Sequence, residues 1–322
     1  MLTKKRFIPG TLIPLTLAVL VTISGCSTAN TGADGTTAGS VPETTTAEST
    51  ENTSQQETGN KLMDDFDSLV SGNPKPADVM AFIAANIASV SENNASTMLL
   101  KLEESQKNSL SGLEGKFNDE AVQKNIGSLW KKDFDIDAAI KTADAKAGEL
   151  LKKARNGGYK VETAEGMYFP IIDYSAYRPF SRYVTQDFKE YIGLMAVESD
   201  KVPAKDAALV ISRDEVLQRA LNQERFIAEF TESRKLDDVK QLYSKYVTFA
   251  LYGLNNTPAF SYDTKVLDPE MKAAYEKFTA SAGDSRLGKS IKDFMSILEK
   301  SGYKQTDKSD AFRKRAEEEL KS

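Results

Sequence analysis

The sequence predicts a mainly α protein, a helical domain with one inserted β-hairpin at about Tyr159 to Ile172. Three observations carry that expectation. Apolar residues recur at three- and four-residue steps through most of the chain beyond Lys61, the spacing of one helix face. Helix-starting residues and helix-stopping glycines bracket these stretches. Strand-like composition stands out in one place, Tyr159 to Thr163 and Met167 to Ile172, around the turn candidates Ala164-Glu165-Gly166. Residues 61–322 suffice for one large core or two modest ones. A single domain is the first expectation; two helical subdomains meeting near Gly157 to Tyr174 are the alternative.

The N-terminus follows a different logic. Lys4, Lys5 and Arg6 precede an apolar stretch from Leu12 to Ile23, the order of a secretory signal. That stretch falls short of the ~20 residues that span a bilayer, and Pro9, Gly10 and Pro14 weaken its upstream end. The segment Ile23-Ser24-Gly25-Cys26 resembles the lipobox of bacterial lipoprotein precursors, in which small residues precede an obligatory cysteine. The resemblance covers only the first 26 residues. It implies that residues 1–25 are removed, that Cys26 receives a diacylglyceryl group and often a further acyl chain, and that the protein is lipid-anchored to a bacterial membrane outside the cytoplasm. Each buried methylene contributes roughly 0.8 kcal/mol; one acyl chain binds marginally, and two or more hold. Cys26 is the only cysteine, so no intramolecular disulfide can form.

From Ser27 to Asn60 the chain is rich in Thr, Ser, Gly, Ala and Glu and poor in bulky apolar residues. Such a segment cannot offset its ordering entropy, so residues 26–60 are expected to be a lipidated N-terminus and disordered tether, with the helical domain at 61–322. A flexible coil of this length spans about 32 Å. Its Ser and Thr content also suits a glycosylated stalk. The net charge is −5, and Asp34, Glu43, Glu48, Glu51 and Glu57 place much of the acidity in the tether. A mildly acidic body argues against nucleic-acid partners and against a second, electrostatic membrane attachment.

Within the body, Pro76 opens a helix bearing Val79, Met80, Ile83, Ile87 and Val90. Met98, Leu99, Leu102, Leu110 and Leu113 mark a longer one. Asp137 is expected to cap a helix with Ile140, Ala143, Ala147, Leu150 and Ala154 on one seam, ended by Gly157-Gly158. After the hairpin come a helix over Gln186 to Ala196, a capping box Ser212-Arg213-Asp214-Glu215 that opens another, and a helix from Leu236 that Gly253 ends. Asp268-Pro269 starts the next, and one bearing Leu287, Ile291, Phe294 and Leu298 stops at Gly302. Phe312 to Leu320 reads as a charged, frayed terminal helix.

The chain contains no histidine, which excludes Ser/His/Asp and Cys/His nucleophile systems and histidine-bearing zinc sites. With Cys26 as anchor no thiolate remains. Asp133, Asp135, Asp137 and Asp144 sit at calcium-loop spacings, but Ala138 stands where that loop needs glycine, so capping by Asp135 or Asp137 is preferred. No catalytic, cofactor or metal residue is assigned, and no cofactor is expected. The densest unusual segment, Met167 to Ile192, gathers aromatic rings with Asp173, Arg178 and Arg182. Two readings stand: the rings bury the hairpin, or they form a platform for a glycan or peptide with Tyr168, Asp173, Tyr174, Tyr177, Arg178 and Tyr183 as its binding residues. The leading function is a tethered, non-catalytic binding or interaction domain with an envelope protein, peptide or glycan as partner. A carboxylate-based glycan-acting enzyme and the substrate-binding component of an uptake transporter are the alternatives.

Overall fold

A computed structural model describes residues 48–131 and 134–321, with side chains from Glu57 onward, so the expected signal, Cys26 and most of the expected tether lie outside the described residues. Helix α1 (Glu48–Val70) reaches into that tether, and residues 48–60, expected to be disordered, are helical. The reason lies at its other end. Phe66 is fully buried and Met63, Leu69 and Val70 pack beside it, and a docked turn extends a helix more readily than it nucleates one.

Helix α2 (Pro76–Asn86) has proline in its first turn, where a missing N–H is harmless. A 3-10 turn at Ile87–Ser89 leads to α3 (Glu92–Phe117), whose Ser91 cap accepts the Asn94 amide. Then come α4 (Glu120–Leu129), α5 (Ile136–Thr142) and α6 (Ala145–Asn156). The single helix expected from Asp137 to Gly157 is thus two. Asp135 rather than Asp137 caps the first, and Asp144 interrupts the apolar seam by accepting the Ala147 amide at 2.8 Å, a local bond that competes with helix continuation.

Strands β1 (Tyr159–Ala164) and β2 (Met167–Ile172) form the expected hairpin, with Tyr159 opposite Ile172 and Ala164 opposite Met167. Glu165 and Gly166 have φ of 50° and 75°, the two-residue turn whose twist matches that of the strands. A 3-10 stretch, Tyr174–Phe180, continues into α7 (Gln186–Asp200). Two further antiparallel pairs, β3 (Ala204–Lys205) with β4 (Ala208–Leu209) and β5 (Gly253–Leu254) with β6 (Thr257–Pro258), flank α8 (Arg213–Glu229) and α9 (Leu236–Tyr252). The chain ends with α10 (Pro269–Ser281), α11 (Arg286–Lys300) and α12 (Asp307–Lys321).

Two local expectations change. Ser212 accepts the Glu215 amide at 3.1 Å, but the Glu215 carboxylate pairs with Lys201 and Arg219 instead of closing the capping box. Helix α12 is docked, not frayed: Phe312, Ala316 and Leu320 are buried, and Phe312 stacks on Phe294 with centroids 5.6 Å apart.

Three apolar clusters form the interior. One joins α8 to α12. A second joins α1 to α3, the 3-10 stretch and α7, and takes Phe226 from α8 and Val239 from α9. The third lies between the C-terminal half of α3, α4 to α6 and β1. Helix α3 supplies Met98, Leu99 and Leu102 to the second and Leu113 and Phe117 to the third. Residues Ala47–Ser322 pack as one compact unit. Among the described residues no helix is long and apolar enough to cross a membrane.

Candidate functional site

The structure distributes the six candidate binding residues over several surroundings. Tyr168 is half-buried, its ring 5.0 Å from Trp130, and its backbone pairs with Gln123: the Gln123 side-chain amide donates to the Tyr168 carbonyl at 2.6 Å and accepts its N–H at 2.9 Å. Asp173 accepts the Ser175 amide and faces Lys160 at 3.5 Å. Tyr174 and Tyr177 are buried and stacked, 5.4 Å apart. Arg178 pairs with Asp200 at 2.7 Å near the surface, and Tyr183 lies under the Arg182 guanidinium. The fold therefore brings Tyr174 to Tyr177, and links Asp173 to Arg178 through Lys160 and Asp200. Tyr168 and Tyr183 stand apart from both groups.

Tyr174 and Tyr177 belong to a buried polar network that the sequence reading did not single out. At its centre is Glu103 of α3, 1% exposed. The hydroxyls of Tyr174 and Tyr191 each donate to its Oε1 at 2.7 Å, and Lys107 Nζ lies 2.8 Å from the same oxygen. Lys235 Nζ, at the start of α9, is 2.5 Å from Oε2. Asp238 in turn accepts Lys235 at 2.8 Å. Burial pushes the Glu103 carboxyl up, but the Lys235 charge and the hydrogen bonds from Lys107, Lys235 and Tyr174 outweigh it and hold the group at about 2. Burial, reinforced by the Glu103 charge, pushes the Tyr174 and Tyr191 phenols up. An acid that stays ionised beside phenols that stay protonated is poorly matched to proton transfer at neutral pH.

One turn further along α3, Gln106 ties the hairpin to the helices. Its Nε2 donates to the Gly157 carbonyl at 2.7 Å, its Oε1 accepts Tyr177 Oη, and its backbone carbonyl accepts Tyr159 Oη at 2.8 Å. Tyr177→Phe leaves the Gln106 Oε1 without that donor in the core. A loss of about 1–3 kcal/mol is expected, read as a lower midpoint in urea denaturation with an unchanged slope. The available signal in the sequence was a run of polar residues, Glu103, Gln106 and Lys107, following the apolar Leu99 and Leu102 on one helix.

Cavities open on the surface of the described residues. Between α7 and α8 a cavity of about 370 Å³ is bordered by Glu190, Glu198, Glu229, Arg219 and Gln223. There Arg219 bonds Glu198 and Tyr246 at 3.1 Å and the Lys201 carbonyl at 3.0 Å, while the buried Gln223 Oε1 has no partner. Of the acids on this wall, Glu198 is committed to Arg219 and Tyr246. Between the α1–α2 loop, α3 and the end of α6 lies a cleft of about 700 Å³ whose charged lining residues are Lys75, Lys116 and Lys153. Smaller spaces, about 370 and 490 Å³, lie beneath Phe169 and Leu242 and beside Phe260 and Tyr262. None of the six candidate residues lines these four cavities. Among the described residues no group of three or more ligating side chains is placed to hold a metal ion.

No family model, curated protein or solved structure matches this chain, so the site is read from its own chemistry.

Proposed function

We propose that this chain is a lipid-anchored extracytoplasmic protein of a bacterial envelope, whose helical domain binds a partner and does not catalyse a reaction. The observation that carries the reading is Cys26, the only cysteine, directly after the apolar stretch and small residues of Leu12 to Gly25. Two acyl chains on that sulfur give an anchor that a single chain would not. The non-catalytic half is supported by the missing histidine and by the commitment of the best-buried acid, Glu103, to two lysines and two phenols. The helical architecture lacks the two α/β lobes with parallel sheets that the transporter-component reading expects among the described residues.

Detergent partitioning of the wild type against Cys26→Ala, expressed in a bacterium, tests the anchor. The wild type is expected in the detergent phase with an intact mass that includes the acyl chains. Cys26→Ala is expected to remain an unlipidated, incorrectly processed precursor. An unmodified thiol on the wild type would overturn the anchor, and turnover of cell-wall glycan by the purified protein would overturn the non-catalytic reading.

A further inference from the structure

The cleft beside α3 concentrates cations in a chain whose net charge is −5. Every charged residue that lines it is a lysine, Lys75 from the α1–α2 loop, Lys116 from α3 and Lys153 from α6. Among the described residues none of the three forms an ion pair, and the side chains of Asn73, Asn108 and Asn156, which share the lining, make no hydrogen bond. Close like-charge repulsion from Lys116, followed by burial and the charge of Lys75, holds the Lys153 ammonium below the ordinary lysine range. Like charges gathered without an acid disfavour one another until an anion joins them.

The walls of the cleft are pinned independently of any ligand. Ser105 Oγ donates to the Pro74 carbonyl at 3.0 Å, which fixes the loop on α3, and Gln106 fixes the end of α6 through Gly157. Between these two bonds and Lys116, α3 carries Gly112, a poor helix former whose missing side chain is part of the opening. A Cβ there would meet nothing within 4 Å. Pro74, Pro76, Leu113 and the Tyr159 ring add apolar wall, and Ala77 brings in the first turn of α2, whose Lys75 cap offers no side-chain acceptor.

We propose that this cleft is a binding site for a phosphate-bearing anion. Three ammonium groups and three uncommitted amides offer more donors than one carboxylate accepts, and they suit the several oxygens of a phosphate ester or pyrophosphate. The proposal rests on the domain being a binding module and is independent of Cys26, so partitioning of Cys26→Ala and loss of anion binding are separate outcomes.

Calorimetric titration of the full chain in non-ionic detergent at low salt tests it, with three probes: inorganic pyrophosphate, glycerol phosphate as a monoester, and glycerophosphoglycerol as the tail-free diester headgroup of an anionic lipid. Saturable binding of at least one probe is expected. The Lys116→Ala/Lys153→Ala double variant should weaken it at least tenfold. Gly112→Leu, which fills the opening with a better helix former, should weaken it as much while leaving the circular dichroism unchanged. Lys189→Ala, on α7, should bind as the wild type does. A preference for the diester points to lipid headgroups or phosphodiester polymers, and a preference for the monoester or pyrophosphate points to a soluble ligand; either supports the site. Absence of saturable binding by all three probes, or equal binding by Gly112→Leu, would overturn it.

Discussion

Glu103→Gln is expected to destabilise the domain by about 3–5 kcal/mol, the penalty for breaking a buried ion pair from one side. The amide keeps the shape of the side chain and removes the charge that Lys235, itself buried, faces at 2.5 Å. Asp238 remains near Lys235, but it is more exposed and lies on the outer side of the cluster. The same carboxylate makes stability pH-dependent. Its folded value of about 2 lies below the unfolded value of 4.5, so its contribution is complete above pH 4.5 and is lost as pH falls toward 2. That shift corresponds to about 3 kcal/mol. Urea denaturation at pH 7 and again at pH 3 measures both effects. The wild type should lose stability between those conditions more steeply than Glu103→Gln does. A variant within 1 kcal/mol of wild type at neutral pH, on the scale of an ordinary surface change, would refute this account of the network.

Gly253→Ala is expected to be comparably severe for a different reason. Helix α9 ends at this residue with φ 71° and ψ −150°, a region essentially restricted to glycine. A Cβ there would collide with the Thr257 carbonyl oxygen and stand 2.8 Å from the Ala259 nitrogen, backbone atoms of β6 and of the residue after it, which cannot swing aside as a side chain can. The expected loss exceeds 3 kcal/mol, or folded protein is not recovered. Gly166→Ala supplies the comparison. Its φ of 75° is similar, yet nothing lies within 4 Å of its added Cβ, so only the backbone penalty of about 1–2 kcal/mol applies. Equal denaturation midpoints for the two variants would show that the collision carries no weight.

Why some elements were legible and others not follows from how much pattern each one holds. Helices α3, α8, α9 and α11 bury long stripes at helical spacing, so Met98, Leu99 and Leu102, or Leu287, Ile291, Phe294 and Leu298, announce them. Helix α4 buries only Val122 and Ile126 and therefore shows almost no stripe. Two-residue strands such as β3 and β5 contain less than one period of alternation. The reading of Asp137 to Gly157 as one helix followed the seam correctly but underweighted Asp144, whose side chain finds the Ala147 amide. The sites were the hardest part. Glu103 meets Lys235 and Tyr174 across long stretches of chain, and Lys75, Lys116 and Lys153 come from three separate elements. Local spacing encodes none of these meetings. The aromatic density of Tyr168 to Tyr191 was visible, whereas the partition of its rings among the core, the α4 face and the surface depends on the tertiary fold.

Helix α3 has a consequence for how this domain comes apart. Its first half completes one apolar interior, its second half another, and its acid reaches the turn before α9. A chain severed along that helix leaves neither piece with a finished interior. Truncation or proteolytic nicking there should dismantle the whole body instead of liberating two stable fragments.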